Sequence, residues 1–261
     1  MCSSDLNALV APSPPNIPRG RSSHLTLRYF LVPPPHTSSP RPGPGSKKPT
    51  AERSGLDGGL RVDTILEISD EIGHTPRLPT TDQAALQAWF TAGAEARDLL
   101  KYLATFEHTI ACMQTEAHIE RVAYEAVSDL ADDGVVYAEI RYAPELHNLP
   151  FAASAEAIAA GFKRAESDAQ SRGKFISAHI IVCAMRTEKR SLEVAQFVDA
   201  HRLREPKIVS FDLAGAETGW PPSLHAEALA FARSRHLNIT IHASEPPDLE
   251  LISDEIGRAH V

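Results

Sequence analysis

The sequence predicts an α/β protein with parallel strands, an incomplete (β/α)8 barrel preceded by a disordered, proline-rich segment. Three observations lead there. From about residue 56, strand-like apolar patterns alternate with helical ones, an order that calls for parallel strands joined by right-handed helical crossovers. Glu139, Arg141, Asp212, His242 and Glu245 stand at or near the carboxyl ends of those strands, where such a barrel keeps its active site. No G-x-G-x-x-G follows a strand and no Walker-type loop occurs, so a doubly wound nucleotide-binding sheet, the other architecture compatible with the alternation, lacks its signature.

Each element has a local cause. TEAHIERVAYEAVSDLADDG, residues 115 to 134, puts Ile119, Val122, Ala123, Ala126, Val127 and Leu130 at helical spacing, with Thr115 as cap and Gly134 as stop. VVYAEIRY (135 to 142) then alternates as a strand does. SAEAIAAGFKRAESDAQSRG (154 to 173) reads as a helix closed by Gly173, and KFISAHIIVCAM (174 to 185) as an apolar strand. A helix around Leu192 to Ala200, the strand KIVSFDLAG (207 to 215), a helix around Leu224 to His236 and the strand NITIHASE (238 to 245) continue the series. These are about strands 2 to 5 of a barrel. The segment KKPTAERSG (47 to 55) lacks apolar strand character, so the first strand is expected to be lost. Inside the barrel Glu139 and Arg141 are read as a structural ion pair, and Asp212 as a helper that orients neighbouring backbone.

Residues 1 to 55 are a separate, disordered Pro/Ser-rich segment. Eleven of the 20 prolines lie in the first 50 residues, which carry one acidic residue, Asp5. Proline lacks the amide donor and fixes φ, so PPPHTSSPRPGPG supports neither a helix nor a central strand. A polyproline ligand for an SH3-like partner is the functional alternative; the segment is read as having no selected partner. The two end hexapeptides, MCSSDL and IGRAHV, are related through their codons. Cys-Ser-Ser-Asp-Leu can be written TGC TCT TCC GAT CT, whose reverse complement reads Ile-Gly-Arg-Ala, and the duplex resembles a common sequencing adapter. Residues 1 to 6 and 256 to 261 are therefore expected to be adapter-derived, leaving 56 to 255 as the barrel portion. ISDEIG occurs at 68 to 73 and again at 252 to 257, but the similarity stops on both sides, so it is no internal repeat.

Composition narrows the partners. A formal net charge of -8 argues against a nucleic-acid surface, and no apolar run approaches the roughly 20 residues of a membrane span. Cys2, Cys112 and Cys183 are distant and odd in number, with no C-x-x-C pair, which fits a reducing, cytoplasmic setting and a small-molecule substrate.

Four collinear stretches carry a family resemblance: LDGGLR (56 to 61), MQTEAHIERVAYEAVSDLADDGVVYAEIRYAPELH (113 to 147), SFDLAGAE (210 to 217) and TIHASE (240 to 245). In order and spacing they resemble the adenosine deaminases of the metal-dependent amidohydrolase group. The resemblance implies a zinc-bearing (β/α)8 TIM barrel that hydrolyses adenosine and deoxyadenosine, releasing ammonia, in purine salvage. It implies Zn2+ held by imidazoles and a carboxylate, which makes bound water a nucleophile near neutral pH. By motif match His242 is a zinc ligand and Glu245 the acid that protonates the purine ring nitrogen, with a pKa raised by burial. Gly215 matches the glycine whose amide meets the purine, and Asp57 the aspartate that receives the ribose hydroxyl and favours adenosine over adenine. Without the other motifs LDGG would read as a tight turn after a strand.

The departures are as specific. The family's first strand ends in His-x-His before Leu-Asp-Gly, and those places hold Arg53 and Gly55. A later histidine and a pair of aspartates in the family pattern have no counterpart in this sequence, and Ser244 replaces a glycine. Of four family ligands His242 alone remains, so the chain as written is expected to be inactive, a fragment of a deaminase. The alternatives are a non-catalytic pseudoenzyme and a related adenine or AMP deaminase.

Overall fold

The computed structural model describes residues 50–96 and 98–242. Its centre is a five-stranded parallel sheet in the order β1-β2-β3-β4-β5, comprising β1 (Thr50–Gly55), β2 (Val135–Tyr142), β3 (Ser177–Met185), β4 (Ile208–Ala214) and β5 (Ile239–Ile241). Spatial order equals sequence order, as successive βα units of a barrel wall require. Helices α1 (Val62–Glu71), α2 (Gln83–Glu95), α3 (Leu99–Ala111) and α4 (Glu116–Asp133) lie between β1 and β2 in the chain. Helices α5 (Phe151–Ser171), α6 (Ser191–His201) and α7 (Ala226–Ser234) make the later crossovers.

The helices start and stop where side chains dictate. Thr115 accepts the amide of His118 at 3.2 Å, and Gly134 closes α4 with φ +92°, a left-handed conformation that costs glycine least. Ile119, Val122, Ala123 and Val127 are buried, while Ala126 and Leu130 pack partly buried against the same core. Burying each larger aliphatic side chain is worth roughly 1.5–3 kcal/mol. Helix α5 begins at Phe151, three residues before the expected serine, because Pro150, with a non-helical ψ of 141°, caps it and the Ser154 amide donates to the Pro150 carbonyl. Strand β3 begins at Ser177 instead of Lys174, since the Lys174 amide is still turned back onto Ala169.

Two features depart from the sequence reading. Residues 50–55, assigned to the disordered segment with the first strand lost, form β1, in parallel register with β2 from Thr50↔Val135 to Gly55↔Arg141. The cause is tertiary: the ladder presents backbone donors and acceptors along β2, and a polar stretch satisfies them as well as an apolar one. The ladder runs on past the strand, with the Leu56 amide donating to the Arg141 carbonyl at 2.8 Å. The boundary of the folded part therefore lies at or before Thr50. The second departure is the group α1 to α3, for which no element was expected. Asp82 caps α2 through the Ala85 amide, and Val62, Ile65, Ile68, Leu78, Leu86 and Cys112 form a separate small core beneath these helices. The proposed adapter-like ends and most of the Pro-rich segment lie outside the described residues.

Helices α4 and α5 meet at Gly161. An added Cβ there would fall on the Glu120 carbonyl oxygen and 2.9 Å from Ala123 Cβ. Alanine favours a helix over glycine by about 1 kcal/mol, whereas forcing apart a packed interface costs about 1–3 kcal/mol, and the obstacle here is rigid backbone. Gly161→Ala is expected to destabilise the fold by about 1 kcal/mol and Gly161→Val by more, read by urea unfolding; a stabilised Gly161→Ala would contradict this packing.

Candidate active site at the carboxyl ends of the strands

Alternation along parallel strands sends residues two apart to the same face. On β2 this aligns Tyr137, Glu139 and Arg141, and register then sets neighbours: Glu139 beside His179, and Cys183 beside Asp212. Low on this face Tyr137 donates to Glu139 at 2.9 Å and packs on His179, its ring centroid 5.1 Å away. Above lies a small apolar layer of Ala143, Ile181 and Cys183, with Leu146, Met185 and Ala214 against it.

At the strand ends the polar residues converge. Asp212 is 0% exposed, and it is surrounded by donors. The Arg141 Nε stands 3.3 Å from its Oδ2, the His242 Nδ1 3.2 Å, the Cys183 thiol donates at 3.2 Å, and the Leu213 amide donates to Oδ1 at 2.8 Å. Burial alone would raise this carboxyl, but His242, Arg141 and Cys183 outweigh it and hold it below the usual carboxylate range. Burial, and after it the same carboxylate, push the Cys183 thiol well up. Arg141 Nη1 lies 3.1 Å from His242 Nε2. A guanidinium has no acceptor, so Arg141 is the donor of this contact, and the other ring nitrogen of His242 faces the Asp212 carboxylate.

Asp57 joins this group from the turn after β1. The Gly59 amide returns to the Leu56 carbonyl at 3.2 Å, so LDGG is also a tight turn. Burial raises the Asp57 carboxyl to about 6, against the opposing pull of its own backbone amide, Arg141 and His242. Tyr102 and Phe106 of α3, packed edge to face at 5.0 Å, stand over Gly58. Gly215 follows β4 with φ +98°, and a Cβ there would come within 2.9 Å of Met185 Cε, so both conformation and space require glycine. Of the four expected site residues, Asp57, Gly215 and His242 stand at the same end of the sheet; Glu245 lies outside the described residues.

The sequence reading missed Arg186, Glu145 and His147. Arg186 is fully buried and donates to the Trp220 carbonyl at 3.0 Å and the His242 carbonyl at 2.5 Å. Its signal was a charge placed directly after the apolar run of β3. Glu145 accepts the Met185 amide at 2.6 Å while its Oε1 is buried without a partner, and burial raises its carboxyl to about 7. His147, stacked on Tyr142, is pushed down to about 4 by burial.

The donor set does not fit a zinc ion. His242 gives its Nε2 lone pair to Arg141, positions 53 and 55 carry arginine and glycine, and among the described residues no group of three or more His, Cys, Asp or Glu is arranged to hold a metal.

Residues 50–260 match the profile of a family described as adenosine deaminase. The chain belongs to the adenosine deaminase family. It is 44% identical over 205 residues to the adenosine deaminases of Mycobacteroides abscessus and Mycobacterium leprae, each alignment covering 77% of this chain and 56% of the relative. The chain thus spans little more than half the length of these relatives. Among solved structures it resembles an adenine deaminase from Arthrobacter aurescens (TM-score 0.66, 24% identity, 82% of this chain and 63% of that one). It also resembles an N6-mAMP deaminase from Arabidopsis (TM-score 0.66, 22% identity, 80% and 63%) and a zinc-bound amidohydrolase from Burkhoderia ambifaria (TM-score 0.66, 22% identity, 82% and 57%). At these identities the likeness is one of fold, and it is the fold of the family's barrel.

Glu145 and Asp57 both carry raised carboxyls at this end of the sheet, and Glu145 is the one whose contribution a single substitution away from the strand-end cluster isolates. Its folded pKa of about 7 exceeds the ordinary 4.5, so the folded state holds the proton longer and the associated stability is lost as pH rises from about 4.5 to about 7. Glu145→Gln is expected to reduce that loss by about 1 kcal/mol, a value discounted for partial exposure. The check is unfolding free energy at pH 5 and pH 8 for both proteins; His147, which acts in the opposite sense, is common to both and cancels.

Proposed function

We propose that this chain is a fragment of a hydrolytic deaminase whose full-length form converts adenosine and deoxyadenosine to the corresponding inosine nucleosides and ammonia, in cytoplasmic purine salvage. What carries this reading is the meeting of Asp57, His242 and Gly215, each from a different family motif, at one end of the parallel sheet. With a pKa of about 6, Asp57 is an ionised acceptor at neutral pH, suited to a ribose hydroxyl. The Gly215 amide, with no side chain in front of it, suits a purine ring nitrogen. Water adds its oxygen to the ring carbon that bears the amino group while Glu245 gives its proton to the adjacent ring nitrogen; of the two protons of the water, one restores Glu245 and the other goes to the amino group, which leaves as ammonia. Zinc is the group the family implies for activating that water. Because Arg53, Gly55 and the engaged His242 do not fit it, no step is assigned to metal, and the chain as it stands is proposed to be inactive. Two of its three cysteines, Cys112 and Cys183, are buried free thiols, which suits a reducing compartment. Among the described residues no helix is long and apolar enough to cross a membrane.

The full-length protein, assayed with adenosine, adenine and AMP, is expected to prefer adenosine by about 100-fold or more in kcat/KM; a preference for adenine or AMP would overturn the substrate assignment. The chain with its present residues 53 and 55 is expected to release no ammonia from adenosine. Turnover that disappears on Glu245→Gln would overturn the proposal that it is inactive.

A further inference from the structure

We propose that His74 and His108 form an acid-released clasp, which holds α3 over the Asp57 turn at neutral pH and lets that helix move when both rings carry an added proton. His74 Nε2 and His108 Nδ1 lie 3.0 Å apart in a side-chain hydrogen bond, and both residues are buried. At that distance one of the two facing nitrogens carries a hydrogen and the other accepts it. The backbone of His74 is fixed, because its amide donates to the Ser69 carbonyl at 2.7 Å and its carbonyl accepts the Arg77 amide at 2.8 Å. The clasp therefore ties α3 to the turn that closes α1. Tyr102 and Phe106 of the same helix stand over Gly58, the neighbour of Asp57, so a helix freed from His74 uncovers that turn.

The surroundings do not favour charge on the pair. The charged groups that face it are Arg77, in the turn after α1, and Glu107, on α3, which are exposed and bonded to each other. From α2 the pair meets an uncharged indole, the Trp89 ring centroid lying 5.4 Å from that of His108. Burial, and after it Arg77, lower His74 from the ordinary 6.5; burial, and after it His74, lower His108; Glu107 opposes both without reversing them. One added proton leaves the bond standing, since an imidazolium donates to a neutral imidazole. The second sets N–H against N–H and places like charges side by side. An opened, solvated pair takes up protons at the ordinary value and the closed pair only at lower pH. The clasp is therefore fully formed above 6.5 and is lost progressively as pH falls below it.

The test is amide exchange along α3 in this chain at about pH 8 and about pH 5, corrected for the intrinsic pH dependence of exchange. No substrate or metal is present, so its failure leaves the deaminase reading untouched. Protection of α3 is expected to fall at least about tenfold at the lower pH, because each proton taken up on opening shifts the balance by up to about tenfold per pH unit; α4 and α5 are expected to keep theirs. His74→Gln and His108→Asn each place an amide at the facing nitrogen, which offers a donor or an acceptor as its partner requires and does not titrate. Each variant is expected to hold α3 closed at both pH values. Should the variants fail to fold, the wild-type rings decide by NMR: both are expected to titrate below 6.5, over the pH interval in which α3 exchange rises. Unchanged α3 exchange in the wild-type chain, an equal fall across α3, α4 and α5, a wild-type fall in either folded variant, or rings that titrate outside that interval would each overturn the inference.

Discussion

The strand-end geometry depends on one buried carboxylate. Asp212 has no access to water, and a group of that kind fixes its surroundings, because each donor it requires must arrive from a definite direction. Its charged and polar neighbours come from β2, from β3 and from the residue that follows β5, so Asp212 draws three strand ends together. The Arg186 head adds a second tie, holding the His242 carbonyl and the Trp220 carbonyl with one guanidinium. Between them these two side chains set the position of His242.

The parallel core of the fold was legible because its signals are local. Period-two apolarity in VVYAEIRY, helical spacing from Ile119 to Leu130 and the stops at Gly134 and Gly173 depend on residues within one or two turns of each other. What could not be read depends on distant partners. β1 exists because β2 offers a ladder, and nothing in TAERSG announces it. The helices α1 to α3 gather around a second small core whose members are spread from Val62 to Cys112, and no short window contains that cluster.

The candidate site shows the same division. Asp57, Gly215 and His242 were found because motifs name residues, and Arg141 and Asp212 because strand ends are where polarity is informative. Their pairing was not legible. The sequence suggested Glu139 as the partner of Arg141, two residues away on the same strand. The guanidinium instead reaches across the sheet to Asp212 and His242, since a residue with no exposure exerts the stronger demand for a cation. Arg186, Glu145 and His147 fell outside the motif roles because their work is with backbone groups and ring faces, which leave little trace in residue type.

The first strand is joined to its neighbour through main-chain hydrogen bonds whose geometry is indifferent to side-chain identity. In engineering terms it is a cassette: its six residues can be exchanged while the ladder, the Leu56 to Gly59 turn and the cluster beyond β2 keep their places. A chain built in this way can exchange residues 53 and 55 of its opening strand while Gly215 after β4 and His242 after β5 keep their places.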